Sequence, residues 1–263
     1  MPSLDVNGTT LHYQFDGPED GPVVMLSNSL ASNLTMWDPQ IAPLTGAGFR
    51  VLRYDSRGHG QSAVPEGPYT MEMLGEDAVG LMDALGLDKV HFCGLSKGGM
   101  VGQMLGARNG DRLLSLSLCD TSAYMGGPGA AAWDERIATV REKGMAGVAD
   151  ATIDRWFTKP GQQRMPDEVE KVRQMVLNTP VEGFCACSEA IKVMDQRESI
   201  RAITTPTLGI VGELDPGTTV EMAKDIQARI AGSKLVVLPE AAHFSNVEQA
   251  EGFNKALLGF LKS

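Results

Sequence analysis

Basic residues are in short supply. The chain carries 23 Lys and Arg against 33 Asp and Glu, a formal charge of -10 over 263 residues and a pI near 4.9. That balance excludes nucleic acid and anionic membrane as expected partners. It also means that an anionic small-molecule substrate must be met by a local cation against the general field. Long hydrophobic runs are missing as well: no window approaches the ~20 apolar residues of a membrane span. The start, Met1-Pro2-Ser3-Leu4-Asp5, lacks the basic region and apolar run of a signal peptide. Cysteine is scarce, with four residues (Cys93, Cys119, Cys185, Cys187) and no Cys-x-x-Cys pair. Reduced, buried thiols in a cytoplasmic protein are the expectation. Cys185-x-Cys187 has no histidine nearby to complete a metal site. No Gly-x-Gly-x-x-Gly follows an early strand, so neither a metal nor a nucleotide cofactor is expected. Nothing in the sequence decides between a monomer and a homo-oligomer.

What is present reads as an ordinary globular α/β chain, 43% apolar and 21% charged. Strand signals fall at 10–15, 23–27, 49–54, 90–93, 113–119, 207–211 and 234–238. The later ones are nearly all apolar, as central parallel strands covered on both faces should be. Helical patterns alternate with them. After Thr70, a suitable N-cap, Leu74, Ala78, Leu81 and Leu85 repeat at helical spacing until Gly86. Val220, Ala223, Ile226 and Ile230 do the same before Gly232, and Phe253, Leu257 and Leu261 mark a last helix. The pattern predicts a doubly wound, mostly parallel sheet with an antiparallel start and helices on both faces. The alternation breaks between about 123 and 200, where four helical stretches (133–143, 147–157, 167–178, 181–194) occur without a convincing strand. A helical cap over 123–200, inserted into a core of 1–122 and 201–263, is the expected organisation, because a structureless loop of that length is improbable.

The chemistry is concentrated at Gly94-Leu95-Ser96-Lys97-Gly98, a Gly-x-Ser-x-Gly between a strand-like and a helix-like run. Strand, sharp turn with serine at its apex, then helix is the context of a nucleophile elbow. The glycines remove Cβ atoms where strand and helix crowd the turn. A serine nucleophile needs a base, and the base an orienting acid, in the chain order Ser, Asp or Glu, His. Of the four histidines only His243 follows the serine, just past the final strand signal; His12 and His91 read as strand residues. For the acid, Asp215 in Gly212-Glu213-Leu214-Asp215-Pro216 suits chain order and strand position. Asp120 competes from the end of the preceding strand, and Glu213 more weakly. The oxyanion hole should combine the Lys97 amide with one from the loop Ser27-Asn28-Ser29-Leu30, where Leu30 is the expected donor.

These residues identify the chain as a member of the α/β-hydrolase superfamily. It resembles the 3-oxoadipate enol-lactonases in Leu26-Ser27-Asn28-Ser29-Leu30, Met36-Trp37-Asp38 and Arg53-Tyr54-Asp55-Ser56-Arg57-Gly58-His59-Gly60. Arg155-Trp156-Phe157-Thr158 and Ala242-His243-Phe244-Ser245-Asn246-Val247-Glu248-Gln249 extend the resemblance nearly end to end. It implies the α/β-hydrolase fold, a Ser96, Asp215, His243 triad, and hydrolytic opening of an enol-lactone to 3-oxoadipate. Arg57 and His59 are then structural residues bracing loops beside the elbow. Many relatives carry His-Gly where Asn28-Ser29 stands. A substrate carboxylate would need a partner, and the candidates are Lys97, Arg136 beside Trp133, and Arg155 beside Trp156. Lysine in the first turn of a helix is unfavourable by ~0.3–1 kcal/mol. Lys97 is therefore read either as raising the potential for an anionic substrate or as simply reaching solvent. Trp133, Trp156, Phe157 and Phe184 are candidate pocket residues that equally suit a core. The same triad would serve a general carboxylesterase, a carbon–carbon bond hydrolase or a cofactor-free perhydrolase; a non-catalytic binding protein is the remoter alternative.

Overall fold

A computed structural model describes residues 2–263. The chain opens with an antiparallel hairpin, β1 (Ser3–Val6) and β2 (Thr9–Asp16), turned at Asn7-Gly8 where φ is 45° and 71°. Asn-Gly is the pair that tolerates positive φ at both turn positions. There follow β3 (Val23–Ser27), α1 (Asp38–Gly46), β4 (Arg50–Tyr54), α2 (Met71–Ala84), β5 (Val90–Leu95), α3 (Lys97–Arg108) and β6 (Leu113–Cys119). An all-helical insertion comes next: α4 (Ala130–Lys143), α5 (Ala146–Trp156), α6 (Lys159–Arg164), α7 (Pro166–Leu177) and α8 (Val181–Lys192). The chain then returns through β7 (Thr207–Gly212), α9 (Val220–Arg229), β8 (Lys234–Leu238), α10 (Ser245–Glu248) and α11 (Ala250–Leu261).

The strands hydrogen-bond in the order β1-β2-β4-β3-β5-β6-β7-β8, antiparallel up to the β2–β4 pair and parallel from β4 to β8. β3 is buried along its whole length, which fits its unbroken Val-Val-Met-Leu-Ser sequence and a sheet covered on both faces. α1 packs with α11, and α2 packs with α3, which also lies on β5 and β6. In α2 the Thr70 hydroxyl accepts the Met73 N–H (3.1 Å), while Leu74, Ala78 and Leu81 are buried. No helix among the described residues is long and apolar enough to cross a membrane.

This architecture carries Ser96, Asp215 and His243 on the loops after β5, β7 and β8. Those are carboxyl ends of parallel strands, where an open α/β sheet gathers its ligand crevice.

Candidate active site

Ser96 sits between β5 and α3 with φ 56° and ψ −114°, a left-handed conformation that costs a non-glycine residue about 1–3 kcal/mol. The surroundings hold it there. Its N–H donates to the Cys119 carbonyl (2.9 Å), and its own carbonyl accepts the Met100 N–H (3.0 Å) and the Thr121 hydroxyl (2.8 Å). A Cβ on Gly94 would lie 2.0 Å from the Gly98 carbonyl oxygen, and one on Gly98 would lie 2.1 Å from that of Ser27. Side chains at those two positions are therefore sterically excluded, and the turn forces the serine outward.

Asp215 and His243 meet as chain order predicts. Asp215 Oδ2 lies 2.7 Å from His243 Nδ1. A carboxylate only accepts, so Nδ1 is the protonated nitrogen and Nε2 remains for proton transfer. Asp215 is itself fixed: Oδ1 accepts the Gly217 and Thr218 N–H groups (2.8 and 3.0 Å), and Oδ2 accepts the Thr218 hydroxyl (2.5 Å). Burial pushes the Asp215 carboxyl upward, but the charge of His243 and the hydrogen bonds from His243 and Thr218 outweigh it and hold the group below its ordinary value. Thr218 was not among the sequence candidates. Its signal is the turn Asp215-Pro216-Gly217-Thr218, in which an Asp side chain characteristically captures the amide two residues on.

Asp120 does not touch the histidine. Fully buried with φ 42°, it accepts the Gly212 N–H (2.8 Å) at Oδ1, and its Oδ2 lies 2.5 Å from the Ser245 hydroxyl. Burial, reinforced by the charge of Asp215, drives its carboxyl well above the usual range, only partly offset by those hydrogen bonds. Glu213 is directed to the Glu240 N–H (3.3 Å).

The loop after β3 is braced from behind. Asn28 Oδ1 accepts the Ser56 N–H (3.1 Å), and its Nδ2 donates to the Ser29 and Ser32 carbonyls (both 3.0 Å). The Ser29 N–H is committed to Met36 Sδ (3.3 Å) and the Ala31 N–H to His59 Nε2 (3.1 Å). Leu30, between them, lines the cavity with Ser96 and His243. His59 can accept there only as the neutral ring, and burial followed by the charge of Lys97 lowers its pKa well below the ordinary value. Arg57 forms a buried two-point ion pair with Asp77 (2.7 and 2.6 Å).

Over the three side chains lies a cavity of about 410 Å³, walled on the insertion side by Trp133, Arg136, Arg155 and Trp156. Arg136 and Arg155 each donate to the Thr152 hydroxyl (3.3 and 3.4 Å), and neither forms an ion pair among the described residues. The Arg136 guanidinium lies over the Trp133 and Phe184 rings (5.4 and 5.2 Å), and its buried Nε has no hydrogen-bond partner among the described residues. Burial, and then the charge of Arg155, lower its pKa to about 9. Phe157 and Phe184 are core residues rather than cavity walls.

Lys97 is where the expectation fails. Its side chain is 1% exposed, lies outside the cavity wall, and donates to the Ser56 hydroxyl behind the oxyanion loop. It therefore neither faces a substrate nor reaches solvent. Burial lowers its pKa, partly countered by Cys187, Asp55 and Asp77. Lys97→Met should accordingly change the ratio of kcat/KM for an anionic lactone to that for a neutral ester by less than about twofold, because a charge outside the cavity contributes little to discriminating bound ligands. Parallel kinetics on the two substrates check this.

A nucleophile elbow at the end of β5, an Asp-His pair on the next loops and an eight-stranded, mostly parallel sheet define a hydrolase scaffold. The alpha/beta hydrolase fold family matches residues 22–250, and the chain belongs to it. It is an enzyme of that family. The chain is 38% identical to 3-oxoadipate enol-lactonase 2 of Acinetobacter baylyi over 99% of its own length and 96% of the relative's. It is 30% identical to a putative carbamate hydrolase RutD of Variovorax paradoxus, over 95% and 96% of the two chains. Among solved structures, the enol-lactonase of Burkholderia xenovorans LB400 superposes with a TM-score of 0.96 at 42% identity, covering 100% of both chains. A thermophilic esterase of Thermogutta terrifontis, with malate bound, follows with 0.93 at 31%, covering 100% of this chain and 98% of the other.

Proposed function

We propose that the protein hydrolyses a lactone bearing a free carboxylate, and specifically opens 3-oxoadipate enol-lactone to 3-oxoadipate. Two arginines in the cavity wall of a strongly acidic protein, neither of them in an ion pair, carry the reading. Leaving two cations unpaired beside a binding site is costly, and a substrate carboxylate removes that cost. The malate in the esterase structure and the enol-lactonase names of the relatives support the same class of ligand.

In the proposed mechanism His243 Nε2 takes the Ser96 proton as Oγ attacks the ring carbonyl. The Leu30 and Lys97 N–H groups hold the tetrahedral oxyanion. Collapse breaks the bond from the acyl carbon to the ring oxygen. That oxygen leaves as an enolate, takes the proton from His243, and the enol tautomerises to the ketone in the still-attached acyl chain. Water, deprotonated by the same histidine, then attacks the Ser96 ester; the bond from the acyl carbon to Oγ breaks, His243 returns the proton to Oγ, and the second carboxylate is released. Asp215 stays ionised throughout and stabilises the imidazolium. Residues 123–200 act as a cap on the core of 1–122 and 201–263, delivering Arg136 and Arg155 above the serine. The four free, buried cysteines suit a cytoplasmic enzyme.

Steady-state kinetics with 3-oxoadipate enol-lactone beside a neutral p-nitrophenyl ester test the reading. Arg136→Met and Arg155→Met should each raise KM for the lactone about 10- to 100-fold, the worth of a charge-assisted hydrogen bond, and leave KM for the ester nearly unchanged. A lactone kcat/KM no better than that of the ester would favour a general carboxylesterase on the same triad.

A further inference from the structure

Residues 155–158 of the insertion and 242–248 of the core are distant in sequence and meet in the fold. The Phe244 N–H donates to the Trp156 carbonyl (3.0 Å), and the two rings stack 4.1 Å apart at 9°. Glu248, on α10 and 3% exposed, makes the second contact. Its Oε1 accepts both donors of Thr158, the N–H at 2.9 Å and the hydroxyl at 2.5 Å, while Oε2 accepts the Ala242 N–H at 2.8 Å. The Thr158 hydroxyl accepts the Gly161 N–H in turn (3.0 Å) and so caps α6. The fit admits nothing larger: a Cβ at position 161 would lie 1.9 Å from Oε1. The backbone N–H groups on either side of His243 therefore both end on the insertion, directly at 244 and through Glu248 at 242.

We infer that Glu248 is a positioning residue that ties the backbone carrying His243 to the helical insertion, so that the base is aligned only when the insertion is seated on the core. The inference rests on the reading of His243 as the base, and it holds for a lactone or an ester alike. Asp215 fixes Nδ1, but a ring held at one nitrogen still pivots if its backbone moves, and Nε2 swings with it. A carboxylate suits the place because three donors converge on it and it offers only acceptors. Glutamine has the same shape, yet its amide must turn an N–H toward either Ala242 or Thr158. The tie from the Arg164 guanidinium to the Glu248 carbonyl (3.2 Å) is untouched by that change, so the insertion keeps a tether.

Glu248→Gln is expected to lower kcat about 10- to 100-fold per folded molecule, the usual consequence of a misplacement near 1 Å, with KM within about twofold. The strongly downfield proton that His243 Nδ1 shares with Asp215 should shift or broaden in the NMR spectrum. Thr158→Val, which removes the hydroxyl donor to Oε1 and leaves the backbone N–H, should act in the same direction but more weakly, and the double variant should lose less than the product of the two losses. Wild-type kcat and an unmoved proton in Glu248→Gln would overturn the inference. So would a loss that merely follows the folded fraction measured by circular dichroism. His243→Gln, assayed in parallel, separates the two levels: if it abolishes turnover while Glu248→Gln does not, only the tie is refuted. If it keeps turnover, the base assignment and the tie fall together.

Discussion

Ser96→Ala should lower kcat by about 10⁶, with the variant still folded and still binding substrate. The size of the effect follows from what else lines the cavity. The Thr218 hydroxyl is spent on Asp215, no thiol lies in the wall, and the Ser29 hydroxyl that does line it has no hydrogen-bond partner among the described residues to activate it. A substitute nucleophile would thus have to be water, held by the oxyanion loop and the arginines, which leaves a residual rate about 10³–10⁴ above the uncatalysed one. Folding should survive because alanine and serine meet the same left-handed backbone at position 96 and pay the same strain. Stoichiometric labelling by a fluorophosphonate should vanish along with turnover. A variant within about tenfold of the wild-type kcat would remove Ser96 from the chemistry, since losing a nucleophile is a far larger effect than that.

How much of this was legible in the sequence depended on how far each signal was local. β3, β6 and β8 span the residues that their strand signals marked; β3 and β6 are central parallel strands covered on both faces, whereas β8 is the edge strand and opens at Lys234. α2 was equally clear from Thr70 and its helical spacing. β1 was not: Ser-Leu-Asp-Val is too short and too exposed to show a pattern, and it becomes a strand only by pairing with β2. α1 and α6 carry prolines, which interrupt the usual helical signal. Pro39 and Pro160 stand in the first turn, where the missing N–H costs nothing, while Pro43 is accommodated inside α1. That Ser96, Asp215 and His243 line one cavity was legible because strand order places their loops together. The direction of the Lys97 side chain was not. Sequence gives the charge and the turn of helix, and lysine is almost never fully buried. Only the packing of α3 against the Ser56 loop shows that it is. Glu248 lay in a segment that marked the resemblance, but its partner Thr158 is 90 residues away, and no local pattern could join them.

The second large effect separates two acids that chain order alone left in competition. Asp215→Asn should lower kcat about 10⁴-fold near neutral pH, because an amide N–H facing Nδ1 forces the wrong tautomer on the histidine. Asp120→Asn should stay within about tenfold of wild type, since the amide keeps the acceptor that Gly212 needs and turns an N–H toward Ser245, whose hydroxyl now donates to Asp120 but can equally accept. Their pH dependences run in opposite senses. Asp120 has a raised native pKa, so its favourable contribution is complete below about 3.8 and is lost as pH rises toward the native value. Asparagine carries no such liability, and Asp120→Asn should gain in Tm relative to wild type between pH 4 and pH 8. Asp215 has a lowered native pKa, so its contribution is present above about 3.8 and is lost as pH falls through the native value. Asp215→Asn should therefore cost stability at pH 7 and cost less below pH 3.8. Thermal melts of the two variants across that range, read beside their kcat values, decide the assignment. A severe loss from Asp120→Asn with a mild one from Asp215→Asn would move the orienting acid to the end of β6. The 2.7 Å contact between Asp215 and His243 would then be structural, and the ionised partner of the histidine would have to be sought at Asp120.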